Sequence, residues 1–454
     1  MKMSSPEQIR VRIAPSPTGS LHIGTARTAL FNYIFAKQHK GIFIVRIEDT
    51  DKERSKKEFE DNILNGLSWL KIKPDEFYRQ SERTEIYKKY IEKLIADGSA
   101  YVSKEEAGEG KRSEVIRFKN SNKSVTFNDI IRGPITFETK DLGDFVIAKD
   151  FNTPLYHLAV VVDDHEMKIS HVIRGEDHIS NTPRQIMLLE AIGANIPTYA
   201  HLPLILASDK SKLSKRHGAT AVTEYRENGF LPEAIVNFLA ILGWSPQSRG
   251  EEESVLSFDE VVEKFELEKV SKSGAVFDIK KLEWINKQYI KKIPQGDLRE
   301  IVREKILTQG LPISNEEVFV RSIPLIVEKI STINEASAVW QEELLFLEKT
   351  PKYDVEKLIW KDEGVLKTKE NLSRVLEIIE TIDSDDFSAE RVKELIFPFA
   401  DSVGRGGVLW PMRFSLTGQD KSPDPFMSAY LLGKDESILR ISQAINLLNS
   451  KIYP

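Results

Sequence analysis

Two short stretches hold residue types that could bind and move phosphate. The first is the loop Ala14-Pro15-Ser16-Pro17-Thr18-Gly19, which ends a β-prone run. It is followed almost at once by Leu21-His22-Ile23-Gly24-Thr25 at the head of a helical pattern. A strand end, a Gly-containing turn and a helix N-terminus form an anion site, because unpaired backbone N–H groups and the helix dipole face the loop. Gly24 has no Cβ, so an adenine ring or a ribose can approach its backbone. The same residues would also serve as a tight strand-to-helix connection, and this segment alone does not separate the two readings. The second stretch, far downstream, is Ser208-Asp209-Lys210-Ser211-Lys212-Leu213-Ser214-Lys215-Arg216-His217-Gly218, nearly devoid of apolar residues and dense in positive charge. By itself such a run reads as a solvated loop. Placed after a second run of parallel-sheet elements, it gains another reading: a lysine loop that clamps a triphosphate at the switch point of a doubly wound sheet.

The elements that must position these residues follow from pattern. A strand is expected over Val11 to Ala14, a helix from His22 to about Gln38 stopped by Gly41, and a strand over residues 42–48 closing into the acidic turn EDTD. That β-loop-α-β unit is the building block of a parallel nucleotide-binding sheet. Residues 76–165 begin with a charged helix and continue as short β-prone runs, an inserted α+β domain. The sheet pattern resumes with a strand over Met167 to Ile173, a helix over Pro183 to Ile192 opened by Asn181 or Thr182 and closed by Gly193, and a strand over Leu202 to Leu206. Pro232 to Leu242 reads as an amphipathic helix with Pro in its first turn and Gly243 beyond its end. From about residue 300 onward helical runs dominate, among them Asn371 to Ile382 and Ser437 to Leu448.

Composition bounds the chemistry. The 454 residues contain no cysteine, which removes a disulfide scaffold, a thiolate nucleophile and any Cys-ligated zinc. No apolar run is long enough to span a membrane and the amino terminus lacks a secretory h-region, so a cytoplasmic, multidomain protein is expected. The net charge of −6 supplies no global footprint for nucleic acid, although local patches decide phosphate binding. Residues 301–454 carry essentially all of that negative charge, which counts modestly against a broad phosphate-gripping surface there. No repeat or low-complexity tract is visible.

The two stretches also carry a resemblance. RIAPSPTGSLHIGTARTALFNY resembles the "HIGH" segment of class I aminoacyl-tRNA synthetases, and KLSKR resembles their "KMSKS" loop. More narrowly, the chain resembles the bacterial-type glutamyl-tRNA synthetases: FIVRIEDTD, YRQSER, YHLAVVVDDH, VIRGEDH, FDIKKLEWIN and PMRFSLTG stand in family order from residue 11 to residue 418. The resemblance implies an α/β fold, a doubly wound parallel-sheet nucleotide-binding catalytic domain over residues 1–75 and 166–228. An inserted α+β domain, 76–165, would bind the tRNA acceptor end. All-helical domains follow, one contacting the tRNA stem over 229–310 and one binding the anticodon over 311–454. It implies a glutamate–tRNA ligase: glutamate is activated by ATP to glutamyl-adenylate and transferred to the terminal adenosine of tRNA(Glu), with tRNA(Gln) left open as a second acceptor.

The residue roles implied by the resemblance suit the chemistry. Phosphoryl transfer asks mainly for positioning and for positive charge where negative charge accumulates. His22, Lys212 and Lys215 would be the catalytic set; Gly19, His22, Gly24, Thr25, Lys212, Ser214 and Lys215 would hold ATP, with Thr25 standing where the family-wide second histidine is. Arg12 and Arg174 match the positions that grip the amino acid, and Ala14, Ser16, Glu48 and Tyr156 match further contacts, Glu48 suiting the ammonium. Forked arginine bonds accept a carboxylate and refuse the neutral amide, so no editing domain is required. Mg²⁺ is expected with the nucleotide and no protein metal cage is visible. A monomer is the default.

Three departures stand out. SAYVSKEEAGEGKRSEVIRFK is shorter than the usual inserted stretch and has no Cys, so no zinc is expected. His178 occupies a position often Trp in relatives, where a hydrogen-bonded histidine is favoured over a catalytic one. Asp150 to Tyr156 lacks the usual glycine-containing turn. Trp340, Trp360 and Trp410 could stack on anticodon bases, with core packing favoured for each. Two other readings compete. A small-molecule nucleotidyltransferase with the same motifs is opposed by the long chain beyond KLSKR, and a silent tRNA-binding paralogue by the intact His22, Gly24, Lys212, Lys215, Arg12 and Arg174.

Overall fold

A computed structural model describes residues 8–105, 114–245 and 255–452, without the side chain of Lys215. By internal packing it divides into two compact units, one reaching Gln288 and one beginning at Tyr289.

The first unit opens with strand β1 (Arg10–Ile13), helix α1 (Ile23–Gln38) and strand β2 (Ile42–Ile47), with β1 and β2 parallel and paired Arg10 to Ile42 through Ile13 to Val45. Val11, Ile13, Phe43, Ile44, Val45 and Ile47 are all buried. Such near-continuous apolar strands are what a parallel sheet covered on both faces requires. The chain turns from α1 into β2 through Gly41, where an added Cβ would lie 2.4 Å from the Ile9 carbonyl oxygen, a contact that only glycine avoids. Helix α2 (Lys57–Trp69) leads to β3 (Glu76–Arg79), which pairs in parallel with β2. Glu76 to Arg79 therefore forms the third strand of this sheet, where the sequence pattern placed the charged start of the insertion; that helix, α3 (Thr84–Ala96), begins only after it.

The insertion continues as β4 (Ala100–Lys104), β5 (Glu114–Phe118), β6 (Ser124–Asp129), β7 (Gly133–Glu138), β8 (Phe145–Asp150) and β9 (Thr153–Pro154). Strands β4, β5, β8 and β9 form one antiparallel sheet, and β6 and β7 form a hairpin. Part of the stretch SAYVSKEEAGEGKRSEVIRFK, residues 106–113, lies outside the described residues. The Asp150 to Tyr156 segment turns tightly, with Asp150 paired to Thr153 and the Asp150 carboxylate accepting from the Asn152 N–H.

Helix α4 (Tyr156–Glu166) returns the chain to the parallel sheet. The strand expected over Met167 to Ile173 is instead β10 (His171–Gly175). Met167 to Ile169 is the exit of α4, its N–H groups bonded back to Asp163, His165 and Asp164 carbonyls, with Lys168 at φ +53°. Helix α5 (Thr182–Ile192) ends at Gly193 in the left-handed conformation, as expected. Strand β11 (Thr198–Leu202) lies parallel to β10 and also pairs with Asp129 of β6, so the insertion's hairpin extends the second half of the sheet. The strand expected over Leu202 to Leu206 is broken at Pro203, which has no N–H for a ladder, and resumes as β12 (Ile205–Leu206). Helices α6 (Val222–Glu227), α7 (Pro232–Ile241) and α8 (Phe258–Lys264), strand β13 (Ala275–Val276) and helix α9 (Ile279–Lys292) follow.

The second unit is helical: α10 (Gln295–Thr308), α11 (Glu316–Lys329), α12 (Glu335–Val339), α13 (Val365–Glu380), α14 (Ala389–Val403), α15 (Arg405–Thr417), α16 (Pro425–Leu432) and α17 (Lys434–Ile452). Trp340 is fully buried, its indole N–H donating to the Pro312 carbonyl and its ring set edge-on to Phe319. Trp410 donates to the Lys357 carbonyl and packs against Trp360, which leaves no room for a Cβ on Gly406. All three tryptophans thus have packing roles. Among the described residues no helix is long and apolar enough to cross a membrane.

The Gly41 contact gives a test of this architecture. Gly41→Ala should lower the melting temperature, at a cost of about 1–3 kcal/mol for forcing backbone to move in a close-packed site. A melting curve matching the wild type would show that the turn tolerates a side chain.

Candidate active site

The two phosphate-type stretches meet through backbone hydrogen bonds. Ile23 N–H donates to the Thr220 carbonyl at 2.8 Å and Val222 N–H to the Leu21 carbonyl at 2.9 Å, so the start of α1 is stitched to the segment just past the KLSKR loop. The loop's entrance is fixed too, by Leu213 N–H to Ile205 O at 3.0 Å and Ala207 N–H to Ser211 O at 2.8 Å. This arrangement alters one expectation. The first two N–H groups of α1 are not free for a ligand: Ile23 bonds to Thr220, and Gly24 donates to His22 Nδ1 at 3.0 Å. What α1 still offers includes its dipole and the His22 ring. With Nδ1 accepting, a neutral His22 carries its proton on Nε2, and burial, aided by the Lys212 charge, lowers its pKa below the usual histidine value.

Beside this junction lies a cavity of about 470 Å³. Of the residues expected from sequence, Arg12, Ala14, Ser16, His22, Gly24, Thr25, Glu48, Tyr156, Arg174 and Lys212 line it; Gly19 and Ser214 do not. The Lys215 backbone lies in a short 3₁₀ turn, Lys215–His217, and its side chain lies outside the described atoms. Lys212 sits at the rim with its ammonium 3.4 Å from the Asp177 carboxylate. His178 also lines the cavity, its Nδ1 3.2 Å from both the Tyr156 hydroxyl and the Asn181 amide. Burial, with the Arg174 charge beside it, pulls the His178 pKa down to about 4, so at neutral pH the ring is uncharged and hydrogen-bonded.

The two arginines are held in different ways. Arg12 makes a forked pair with Asp164, at 3.1 and 3.3 Å. Asp164 also accepts from Arg46 at 2.7 Å, and Arg46, wholly buried, reaches Glu48 at 3.1 Å. The neighbouring Asp163 is just as buried and accepts from Gln80, Arg83 and Tyr87. Burial alone would depress the Arg46 pKa, but the charges of Asp164, Asp163 and Glu48 more than reverse this, so it is raised. Burial would likewise raise the Asp164 pKa, yet Arg12 and Arg46 leave it lowered. Glu48, where burial outweighs Arg46, is raised. Arg174, by contrast, has no ion-pair partner among the described residues, and burial lowers its pKa. It donates to His201 Nε2, Gln185 Oε1 and Thr182 Oγ1 at 3.1, 2.8 and 2.8 Å.

Arg46, Asp163, Asp164 and His201 were not singled out from sequence. A signal was there for the first three: each interrupts an apolar run, IFIVRI for the arginine and LAVVVDD for the two aspartates, where a charge must be paired to be buried. His201 carried no such signal. Arg27, one turn along α1, also lines the cavity and donates to the Pro203 carbonyl at 2.8 Å, fixing the sheet break.

Comparison with known proteins shows the family of the chain. Residues 8–114 and 104–284 match the family of class I tRNA synthetases (E and Q), catalytic domain, and residues 277–445 match the anticodon binding domain family. The chain belongs to the class I glutamyl-tRNA synthetase family. It is 41% identical to glutamate–tRNA ligase 2 of Caldicellulosiruptor saccharolyticus, covering 96% of this chain and 98% of that one. It is 40% identical to the glutamate–tRNA ligase of Carboxydothermus hydrogenoformans over 96% and 100%. A crystal structure of the glutamate tRNA ligase of Elizabethkingia meningosepticum in complex with its amino acid superposes with a TM-score of 0.84 at 33% identity, over 97% of this chain and 99% of that one. In this member of the family, therefore, the cavity described above belongs to a synthetase catalytic domain.

The Asp163–Asp164 pair makes a stability test. Replacing either by alanine strands buried guanidinium groups, so Asp164→Ala should destabilise the first unit by about 3–5 kcal/mol. Thermal unfolding measures this, and a loss under 1 kcal/mol would show that water takes over the role of the carboxylate.

Proposed function

We propose that this chain ligates glutamate to tRNA(Glu) at the cavity between α1, β10 and the KLSKR loop, acting as a monomer in the cytoplasm. The observation that carries the site assignment is one cavity lined by His22, Gly24 and Lys212 and by Arg12, Glu48, Tyr156 and Arg174. The amino acid would sit between the two guanidinium groups, its ammonium on Glu48. Arg12, Arg46 and Arg83 are matched by Glu48, Asp163 and Asp164, while Arg174 has no carboxylate partner among the described residues, and that one unmatched guanidinium suits a substrate of net charge −1. A neutral glutamine would leave that surplus uncompensated, which is the physical basis for refusing it.

ATP would lie over Gly24 and Thr25 with its phosphates toward His22 and the lysine loop. The substrate α-carboxylate attacks the α-phosphorus, and diphosphate leaves. His22 Nε2–H would donate to the phosphates, Lys212 would exchange Asp177 for them, and Lys215, with Gly19 and Ser214 shaping the loops, would neutralise charge building on the leaving group. Mg²⁺ would enter on the phosphate oxygens and screen their charge, with Asp177 the carboxylate at that side of the cavity. Among the described residues no cluster of three metal-ligating groups occurs, and the proposal includes no zinc, since the chain has no cysteine. The adenylate is then consumed by the terminal adenosine of the tRNA, with residues 76–165 presenting the acceptor end, 229–310 contacting the stem and 311–454 reading the anticodon. Whether tRNA(Gln) is a second acceptor rests with that helical region.

Diphosphate exchange tests the function directly. Exchange should require glutamate and tRNA(Glu) together and be absent with glutamine; exchange without tRNA, or with no amino acid, would sink the proposal. Lys215→Ala should lower kcat by about 10²–10³-fold with little change in glutamate KM. The raised Glu48 pKa predicts a further sign: below it the carboxyl is neutral and loses the ammonium, so glutamate KM should climb as pH falls from neutrality. Glu48→Gln should raise KM and flatten that profile.

A further inference from the structure

Arg174 is unusual in this site because every acceptor it uses is neutral. His201 Nε2, Gln185 Oε1, Thr182 Oγ1 and, at 3.4 Å, the His178 carbonyl oxygen take its N–H groups. Neutral acceptors fix the direction of a guanidinium fork without cancelling its charge, whereas a carboxylate partner would do both. Among these acceptors only His201 Nε2 loses its ability to accept when it is protonated, so its state matters most.

That state is set by an aspartate from the insertion. Arg174 Nε–H can only donate, so His201 Nε2 must be unprotonated to accept it at 3.1 Å. A neutral ring then carries its proton on Nδ1, which is 2.6 Å from Asp129 Oδ2. The same oxygen accepts the His201 backbone N–H at 3.0 Å, and Asp129 Oδ1 accepts from Ile131 and Arg132 N–H at 3.0 and 2.9 Å, so the carboxylate cannot swing away. Asp129 and His201 are both fully buried. The ring is also packed flat against Tyr199, over whose face the Arg174 guanidinium lies.

We infer that His201, held as the Nδ1–H tautomer by Asp129, is the positioning residue that aims Arg174 at the substrate while leaving its charge uncancelled. The inference rests on the reading of Arg174 as a glutamate-gripping residue. It makes Asp129 and His201 an outer layer of the amino-acid site, reached through β6 and β11, in the way that ligand-supporting partners orient groups which touch a substrate.

Two substitutions separate aiming from mere packing. In His201→Asn the amide stands where Nδ1 was and still reaches Asp129, but nothing accepts from Arg174. In His201→Gln the amide oxygen stands where Nε2 was and still accepts. Both remove a ring and both should melt earlier, so melting is not the readout. Glutamate KM should rise by about tenfold or more in His201→Asn and by no more than about threefold in His201→Gln, with ATP KM near wild type in each. Equal glutamate KM in the two variants would overturn the inference. Arg174→Lys serves as the reference: a wild-type KM there would overturn the reading of Arg174 and this inference with it. A raised KM there beside an unaffected His201→Asn would overturn this inference alone. If His201→Asn does not fold, ¹⁵N spectra of histidine-labelled wild-type protein decide the matter. The resonances missing from His201→Gln should show Nδ1 protonated and Nε2 bare at neutral pH, and a protonated Nε2 would overturn the assignment.

Discussion

The Arg12 side of the cavity depends on two carboxylates buried side by side in the last turn of α4. Asp163 and Asp164 stand at the negative end of a helix dipole, where acidic groups are disfavoured. They persist because guanidinium groups from β1, β2 and the start of α3 converge on them: Arg12, Arg46 and Arg83. The pairing ties three strand and helix junctions to one point. It also sets the angle at which Arg12 enters the cavity, so the geometry of a cavity-lining group is decided by charges that do not themselves line the cavity.

Arg12 and Arg174 show two solutions to the same problem of holding a buried cation. Arg12 has a counterion, shared with Arg46, and its remaining donors face the cavity from a nearly neutral cluster. Arg174 has only uncharged acceptors and keeps its full charge in a desolvated place. The second arrangement is costly for the empty protein, because an unpaired buried charge lowers stability. On the proposed reading of Arg174, an arriving anion would offset that cost, and the fold would thereby store affinity for a charged metabolite.

Much of this was legible from residue order, and the failures have physical reasons. The β-loop-α-β opening, the left-handed stop at Gly193 and the helices of the second unit follow from local patterns that tertiary packing did not override. Glu76 to Arg79 was misread because four polar and aromatic residues beside a charged helix give no strand periodicity; their strand exists only because β2 offers a parallel edge. Met167 to Ile169 looked β-prone and is a helix exit, since its N–H groups are claimed by α4. Arg12, Glu48 and Arg174 were chosen from the family blocks around them. Nothing local marks His201, whose role comes from partners 72 and 27 residues before it in sequence, Asp129 and Arg174. At the head of α1 the stitch to Thr220 takes the Ile23 N–H and His22 Nδ1 takes that of Gly24, contacts that no local pattern announces.

The pairing of β6 with β11 has a consequence for how such proteins can change. Insertions in enzymes are commonly treated as cassettes, exchanged or trimmed while the parent sheet carries on. Here the sheet itself borrows Asp129 from the insertion, and the ring that Asp129 secures is built into the parent strand. The segment is therefore not a detachable graft: shortening can erode its far side, but any lineage that discards the turn at Asp129 must reinvent an anchor for His201 at the same time.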